Sequence, residues 1–291
     1  MIRLRWALAG GKPQAIACLK ALTAAGFRPD FVMLPRGLPE NDQADMASAA
    51  GDLDVALHDN DKTRLSGMVG ELDLLLVCRF ELLPALVFEA PRIGALNIHS
   101  SLLPSYRGFH PVSWALIDGA EKTGVTIHRI DAGIDTGPIV AQAALPIADH
   151  HDLWSLTEDL DQLAAELAVS TFRFAAANDT LPMPIVSSHA PSYGRRRTAA
   201  DGQIDWAKPA RAIFNLIRAL PMPLPPAYTI APDGRETLVR RAEIIQGVQN
   251  DAPPGRVLAV DNTGWCEVQC GQGSRLRVLL EPLPVIGTQF S

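Results

Sequence analysis

The sequence predicts two folded parts, an α/β domain on a mostly parallel sheet and then a small β-rich domain. Three observations carry this. Apolar runs short enough for strands alternate with helix-length segments as far as residue 130, the pattern of parallel strands joined by helical crossovers. Residues 178–200 then change texture, with prolines, paired serines and the run Arg195, Arg196, Arg197, which is linker chemistry. Beyond them, short strand-like runs separated by turns suggest a barrel or sandwich of about eighty residues. The expected divisions are 1–185, a linker over 186–200, and 201–291.

Each element follows from its local pattern. Residues 2–9 read as a strand, Gly10 and Gly11 as a turn, and Pro13 as an early position of a helix over 14–25. Residues 31–34 form a short buried strand, and 52–55 another. Residues 62–71 fit a helix. The compact run at 73–77 is typical of a strand covered on both faces. A helix is expected over 82–89 and a strand over 95–99. Residues 125–130 and 139–147 look like a strand pair, because the segment between them is rich in Gly and Asp. A long amphipathic helix spans 152–177. Past the linker, a helix over 208–219 precedes strands at 237–245, 255–259, 266–270 and 276–280.

Composition narrows the classes. In 291 residues, 47% are hydrophobic and 20% charged, an ordinary globular balance that rules out wholesale disorder. Lys and Arg number 26 against 32 Asp and Glu, for a net charge of −6, which counts against a nucleic-acid partner. The most apolar stretch, 72–77, holds an Asp and falls far short of the roughly 20 residues of a membrane span. The basic-then-apolar start is too short for a secretory signal, so a cytoplasmic location is the default. Cys18, Cys78, Cys266 and Cys270 give no disulfide framework. Four residues along a strand is about 13 Å, too far for Cys266 and Cys270 to share a metal, so buried thiols are expected.

Chemistry concentrates in the run NIHSSLLPSYRG, from Asn97 to Gly108. Asn97 and His99 are two apart at a strand end, so their side chains point to one side of the sheet, where open α/β sheets bind ligands. Thirty-six residues past His99, Asp135 stands in the Gly-rich turn DAGIDTGP, which can fold a carboxylate back over the same crevice. An amide N–H can hold a developing oxyanion, an imidazole can shuttle a proton at neutral pH, and a carboxylate can orient that imidazole.

These two segments resemble the signature of the 10-formyltetrahydrofolate-dependent formyltransferases. The matching positions are Asn97, His99, Ser101 to Pro104, Arg107, Gly108, Asp131, Gly133 and Asp135 to Gly137; Ser100 is a mild departure. Similarity runs to about residue 245 and includes the run QIDW at 203–206. The resemblance implies a Rossmann-like amino domain that binds folate, and an OB-like β-rich carboxyl domain. It implies that Asn97 hydrogen-bonds the oxygen of a tetrahedral intermediate, that His99 assists proton transfer, and that Asp135 tunes His99. The 10-formyltetrahydrofolate would lie against Arg79, Phe80, Leu82, Leu83, Asp131 and Gly133, with no metal needed. Arg107, Gly108 and His110 are the expected acceptor contacts.

Other polar residues have blander readings. His128 alternates with apolar neighbours and is expected to face outward, and the pair His150 and His151 to be solvated at a helix start. The three arginines are read as a solvated run or a phosphate contact. Members of the family that act on methionyl-tRNA usually carry a long basic loop after the second strand; here residues 34–45 are short and acidic. Residues 108–119 and 123–129 look closest to the domain that formylates a UDP-linked aminoarabinose. The expected partner is therefore a small, nucleotide-linked amine, with no membrane and with a homodimer left open. Hydroxyornithine is the runner-up acceptor, then methionyl-tRNA. Formyltetrahydrofolate hydrolysis is a further alternative, though such relatives usually carry a sensing domain ahead of the catalytic one.

Overall fold

The computed structural model describes residues 3–59, 67–247 and 251–291. They fold as two compact units, one from the described residues up to Gly108 with Thr123–Pro146 and Thr157–Gly194, the other from Phe109–Lys122, Ile147–Leu156 and Arg195–Ser291.

The first unit is Rossmann-like. Strands β1 (Trp6–Gly10), β2 (Phe31–Met33), β3 (Ala56–His58), β4 (Leu74–Cys78) and β5 (Gly94–His99) are parallel neighbours in the order β3-β2-β1-β4-β5. Two more strands, β7 (Lys122–Arg129) and β8 (Ile139–Pro146), extend the sheet, and β7 runs antiparallel to β5. Helix α1 (Pro13–Ala24) opens on Pro13, whose missing N–H costs nothing in a first turn. Strand parity divides the core. Ala7, Ala9, Leu75, Val77 and Ala95 meet Phe31, Met33 and Val87 on one face. Trp6 meets the ring of Phe172 edge-on at 4.8 Å; such pairs add about 0.5–1.5 kcal/mol beyond their buried area. Phe172 lies on the long helix α5 (Leu153–Asn178), named after α2 (Glu40–Asp52), α3 (Ala85–Phe88) and α4 (Pro111–Ile117).

Several expectations need correction. The strand expected at 52–55 lies at Ala56–His58, because α2 runs through Asp52. That helix is hard to see in the sequence, since its buried stripe is only Met46, Ala49 and Ala50 on an acidic background. The helix expected over 82–89 shrinks to α3. Pro84 disfavours helical backbone in the residue before it, and the Leu82 side chain is exposed. Most of the helix expected at 62–71 lies outside the described residues, and 67–69 are helical. Within the expected linker, β9 (Tyr193–Gly194) pairs with β6 (Arg107–Gly108), and Tyr106 N–H donates to Ser192 Oγ at 2.8 Å.

The second unit holds a five-stranded antiparallel sheet, β10-β11-β14-β13-β12, of β10 (Ala227–Ile230), β11 (Glu236–Ile245), β12 (Val257–Val260), β13 (Trp265–Gln269) and β14 (Arg275–Glu281). Strand β10 was absent from the sequence expectation, its apolar alternation hidden behind the prolines that precede it. Helix α6 (Ala210–Arg218) packs on β11. Trp206 stacks on Phe290 and donates its indole N–H to Thr229 Oγ1 at 2.8 Å. Cys266 and Cys270 are buried, and burial pushes their thiols up to about 11 and about 12. His151 is also buried, not solvated; its Nδ1 accepts the Ala148 N–H at 3.0 Å.

Candidate active site

Strand β5 delivers the first two groups. Asn97 lies beside Val77 of β4 in parallel register, so Asn97 and His99 sit on the face that carries Ala9, Val77 and Ala95. Strand β7 crosses antiparallel, with His128 opposite Asn97 and Thr126 opposite His99. Directly opposed residues share a face, so His128 points inward at the site. It is 3% exposed, which corrects the outward position expected from its alternation. The sequence pattern pairs residues 125–130 with 139–147, and the pairing of 97 with 128 that turns His128 inward emerges only in the fold.

Thr126 anchors the loop after β5. Its hydroxyl donates to Ser101 O at 2.6 Å and accepts the Leu103 N–H at 3.1 Å. The loop then returns so that Tyr106 O accepts from His99 Nε2 at 2.8 Å.

Asp135 arrives from the turn between β7 and β8. Asp131 Oδ1 accepts the Gly133 N–H at 3.0 Å and the Thr136 hydroxyl at 2.6 Å, which closes the turn. Gly137 lets it fold back on β7, since a Cβ there would stand 1.9 Å from the Arg129 carbonyl oxygen. Asp135 Oδ2 accepts the Gly108 N–H at 2.8 Å and lies 3.4 Å from His99 Nδ1. Oδ1 lies 3.4 Å from Asn97 Nδ2 and 3.5 Å from His128 Nε2. Gly108 reaches this contact at φ 84, a backbone angle that favours glycine.

Burial pushes the His99 imidazolium down, and this outweighs the opposing pull of Asp135 and the Tyr106 carbonyl. Burial pushes the Asp135 carboxyl up, but His128 and His99, as imidazoliums, and the Gly108 N–H together hold it below the ordinary carboxylate range. The Tyr106 carbonyl can only accept, so the Nε2 of a neutral His99 carries the hydrogen and Nδ1 keeps its lone pair. The cluster can take up a proton at Nδ1 next to an ionised carboxylate, with an amide N–H alongside.

The remaining expected site residues are distributed as follows. Phe80 and Leu83 are partly buried against the apolar cluster on the face of Asn97, whereas Leu82 is 72% exposed. Arg79 has φ 52 and reaches across to Asp161 Oδ1 at 3.5 Å. Burial lifts that Asp161 carboxyl to about 6. Arg107 donates to the Tyr193 hydroxyl at 3.2 Å. His110 falls in the second unit, where it caps α4 at φ 54 and its carbonyl accepts the Trp114 N–H. The arginine run is not freely solvated. Arg195 pairs with Asp201 and lies over the Trp114 ring, and Arg196 lies over Phe109. Among the described residues, no group of three His, Cys, Asp or Glu is placed to hold a metal ion.

Comparison with known proteins bears on the family and the fold. Residues 58–172 match the formyl transferase family, and residues 196–282 match its C-terminal domain. The methionyl-tRNA formyltransferase of Thermodesulfovibrio yellowstonii is 34% identical over 93% of this chain and 88% of its own length. That of Thiobacillus denitrificans is 33% identical over 93% and 89%. Among solved structures, WlaRD, a sugar 3N-formyl transferase with dTDP and 5-N-formyl-THF, superposes with a TM-score of 0.73 at 18% identity, covering 97% of this chain and 99% of its own. The N-formyltransferase from Helicobacter canadensis in complex with folinic acid and dTDP-3-aminofucose gives 0.69 at 19% identity, covering 96% and 100%. At these identities the structures testify to the fold, while the sequence relatives and the two family matches carry the assignment: the chain belongs to the 10-formyltetrahydrofolate-dependent formyltransferases.

Proposed function

We propose that the chain moves the formyl group of 10-formyltetrahydrofolate to the primary amine of a small, nucleotide-linked amino sugar. The observation that carries the choice of acceptor is α2. It fills the stretch after β2, and from Arg36 to Lys62 the sequence places seven acidic residues and no Lys or Arg in between. Glu40, Asp45 and Asp52 of this helix are exposed. Such a surface repels a phosphate backbone. A second reading has its own support, since the relatives at 33–34% identity that span 93% of the chain are methionyl-tRNA formyltransferases.

The residues fit the folate. Phe80 and Leu83 offer an apolar ledge on the face of Asn97 and His99, suited to a flat ring. Asp131 has its Oδ1 committed to the turn, so it and Gly133 would serve mainly through the main chain. Bound there, the folate supplies the formyl group on N10. Neutral His99 takes at Nδ1 the proton that the attacking amine sheds. The resulting imidazolium donates on both sides, to Tyr106 O and to Asp135, and then gives that proton to N10 of the folate as the bond between N10 and the formyl carbon breaks. Asn97 donates an amide N–H to the oxygen on which charge develops. Gly108 holds Asp135 in place through its main-chain N–H.

The test is release of tetrahydrofolate from 10-formyltetrahydrofolate with UDP-linked aminoarabinose, hydroxyornithine, methionyl-tRNA or no amine. Release with the sugar nucleotide is expected. Release only with methionyl-tRNA, falling steeply as salt rises, would replace the sugar by tRNA. Release without amine would mark a hydrolase.

A further inference from the structure

Within the site, His128 has no part in the chemistry just derived, yet it touches two of the three reacting side chains. Its Nδ1 lies 2.8 Å from the carbonyl oxygen of Arg129. A carbonyl only accepts, so Nδ1 carries the hydrogen, and in the neutral ring Nε2 keeps a lone pair. The nearest group to that lone pair is Asn97 Nδ2 at 3.1 Å, a pure donor. Asp135 Oδ1 is farther off, at 3.5 Å. Cross-strand register sets the pair, Asn97 opposite His128, so the contact belongs to the sheet and not to a mobile loop.

The consequence falls on the Asn97 carboxamide, which can rotate to present either its oxygen or its nitrogen. With the oxygen turned toward His128, it would face a lone pair and a carboxylate together. With the nitrogen turned inward, one hydrogen goes to Nε2 and the other stays loosely engaged with Asp135 Oδ1 at 3.4 Å. That second hydrogen is the one free to move to a substrate oxygen. We propose that His128 is a positioning residue of the transfer site, holding the Asn97 amide so that its N–H, and not its carbonyl, meets the oxygen under attack. The inference rests on the reading of Asn97 as the oxyanion donor.

Two measurements test it on the full chain. Nitrogen-15 NMR of the imidazoles should show His128 as the Nδ1–H tautomer; an Nε2–H tautomer would overturn the proposal. Kinetics with the amine that supports tetrahydrofolate release should show His128→Leu lowering kcat about 10- to 100-fold, since a misaimed donor loses part of what deletion loses. KM for 10-formyltetrahydrofolate and binding of tetrahydrofolate should stay within about twofold, which also reports an intact fold. His128→Gln, which keeps an acceptor near the Nε2 position, should recover most of the loss. In an Asn97→Ala background, His128→Leu should add nothing. Equal losses in the Leu and Gln variants would reduce His128 to packing and overturn the proposal. So would full turnover in His128→Leu beside an inactive Asn97→Ala, which leaves the site reading intact. Full turnover in Asn97→Ala itself would remove the reading on which the proposal stands.

Discussion

The two larger sheets among the described residues treat polar side chains differently. At the carboxyl end of β5, Asp135 lies 3.4–3.5 Å from Asn97, His99 and His128, contacts longer than ordinary hydrogen bonds, and Asn97 lies 3.1 Å from His128. In the second unit, Trp206 closes on Thr229 of the antiparallel sheet at 2.8 Å, and the buried thiols are held protonated. The carboxyl end of β5, the loop after it and the turn after β7, which folds back on that antiparallel strand, converge there with hydrogen-bonding capacity to spare. In the second unit the buried polar atoms are satisfied locally. Spare capacity is what a substrate can use.

The sharpest way to break this contrast is to remove groups from each sheet. Asn97→Ala and Asp135→Ala should each lower kcat about 10²- to 10³-fold, the usual loss for an oxyanion donor or its partner. Folate affinity should change little. Cys266→Ala, in the second unit, should leave kcat within about twofold, since a buried, protonated thiol has no role in transfer. A collapse of turnover in Cys266→Ala, or near-normal turnover in Asn97→Ala, would erase the distinction.

How much of this was visible in the sequence follows the same division. Asn97 and His99 declared themselves through their spacing on a strand, and Asp135 through a Gly-rich turn able to fold back over the same crevice. His128 did not, because period-two alternation says which residues share a face but not which face is covered. Only the antiparallel register of β7 on β5 decides that. Helix α2 was lost for a different reason. Its buried stripe is mostly alanine, which hydrophobic periodicity weighs lightly. The tie of Arg79 to Asp161 on α5 joins residues far apart in sequence that no local pattern links.

Asp161 tests whether spare polarity has a stability cost. It is 5% exposed, and burial raises its carboxyl to about 6. Between about pH 4, where it titrates in the unfolded chain, and about pH 6, the folded protein holds the extra proton. Its contribution therefore favours folding below pH 4 and is lost as pH rises through 6. Asp161→Asn should abolish that slope in thermal or urea unfolding. At pH 7 it should recover up to about 3 kcal/mol, less whatever Arg79 loses with its partner. An unchanged slope would show that Asp161 is not the group responsible. Thr229→Val is the counterpart in the second unit, where polarity is already paired. Leaving the Trp206 N–H without its acceptor should cost about 1–3 kcal/mol of stability, without altering the turnover of the folded fraction.

The smallest expected effect is the most diagnostic for the chemistry. A base that receives the amine proton must be neutral at working pH, and burial arranges this by pushing His99 down from the ordinary histidine value of about 6.5. Asp135 opposes burial, since its charge favours the imidazolium. The acid limb of kcat/KM should therefore lie below about pH 6.5, and NMR titration of the His99 ring should give the same midpoint. Asp135→Asn removes the opposing charge, so the ring should titrate at still lower pH in that variant, even as turnover falls. The two shifts have one sign and separate causes. If the midpoint instead rises in Asp135→Asn, the carboxylate is not acting on His99 as a charge. Its part in the reaction would then be confined to the Gly108 and Asn97 contacts on its other edges.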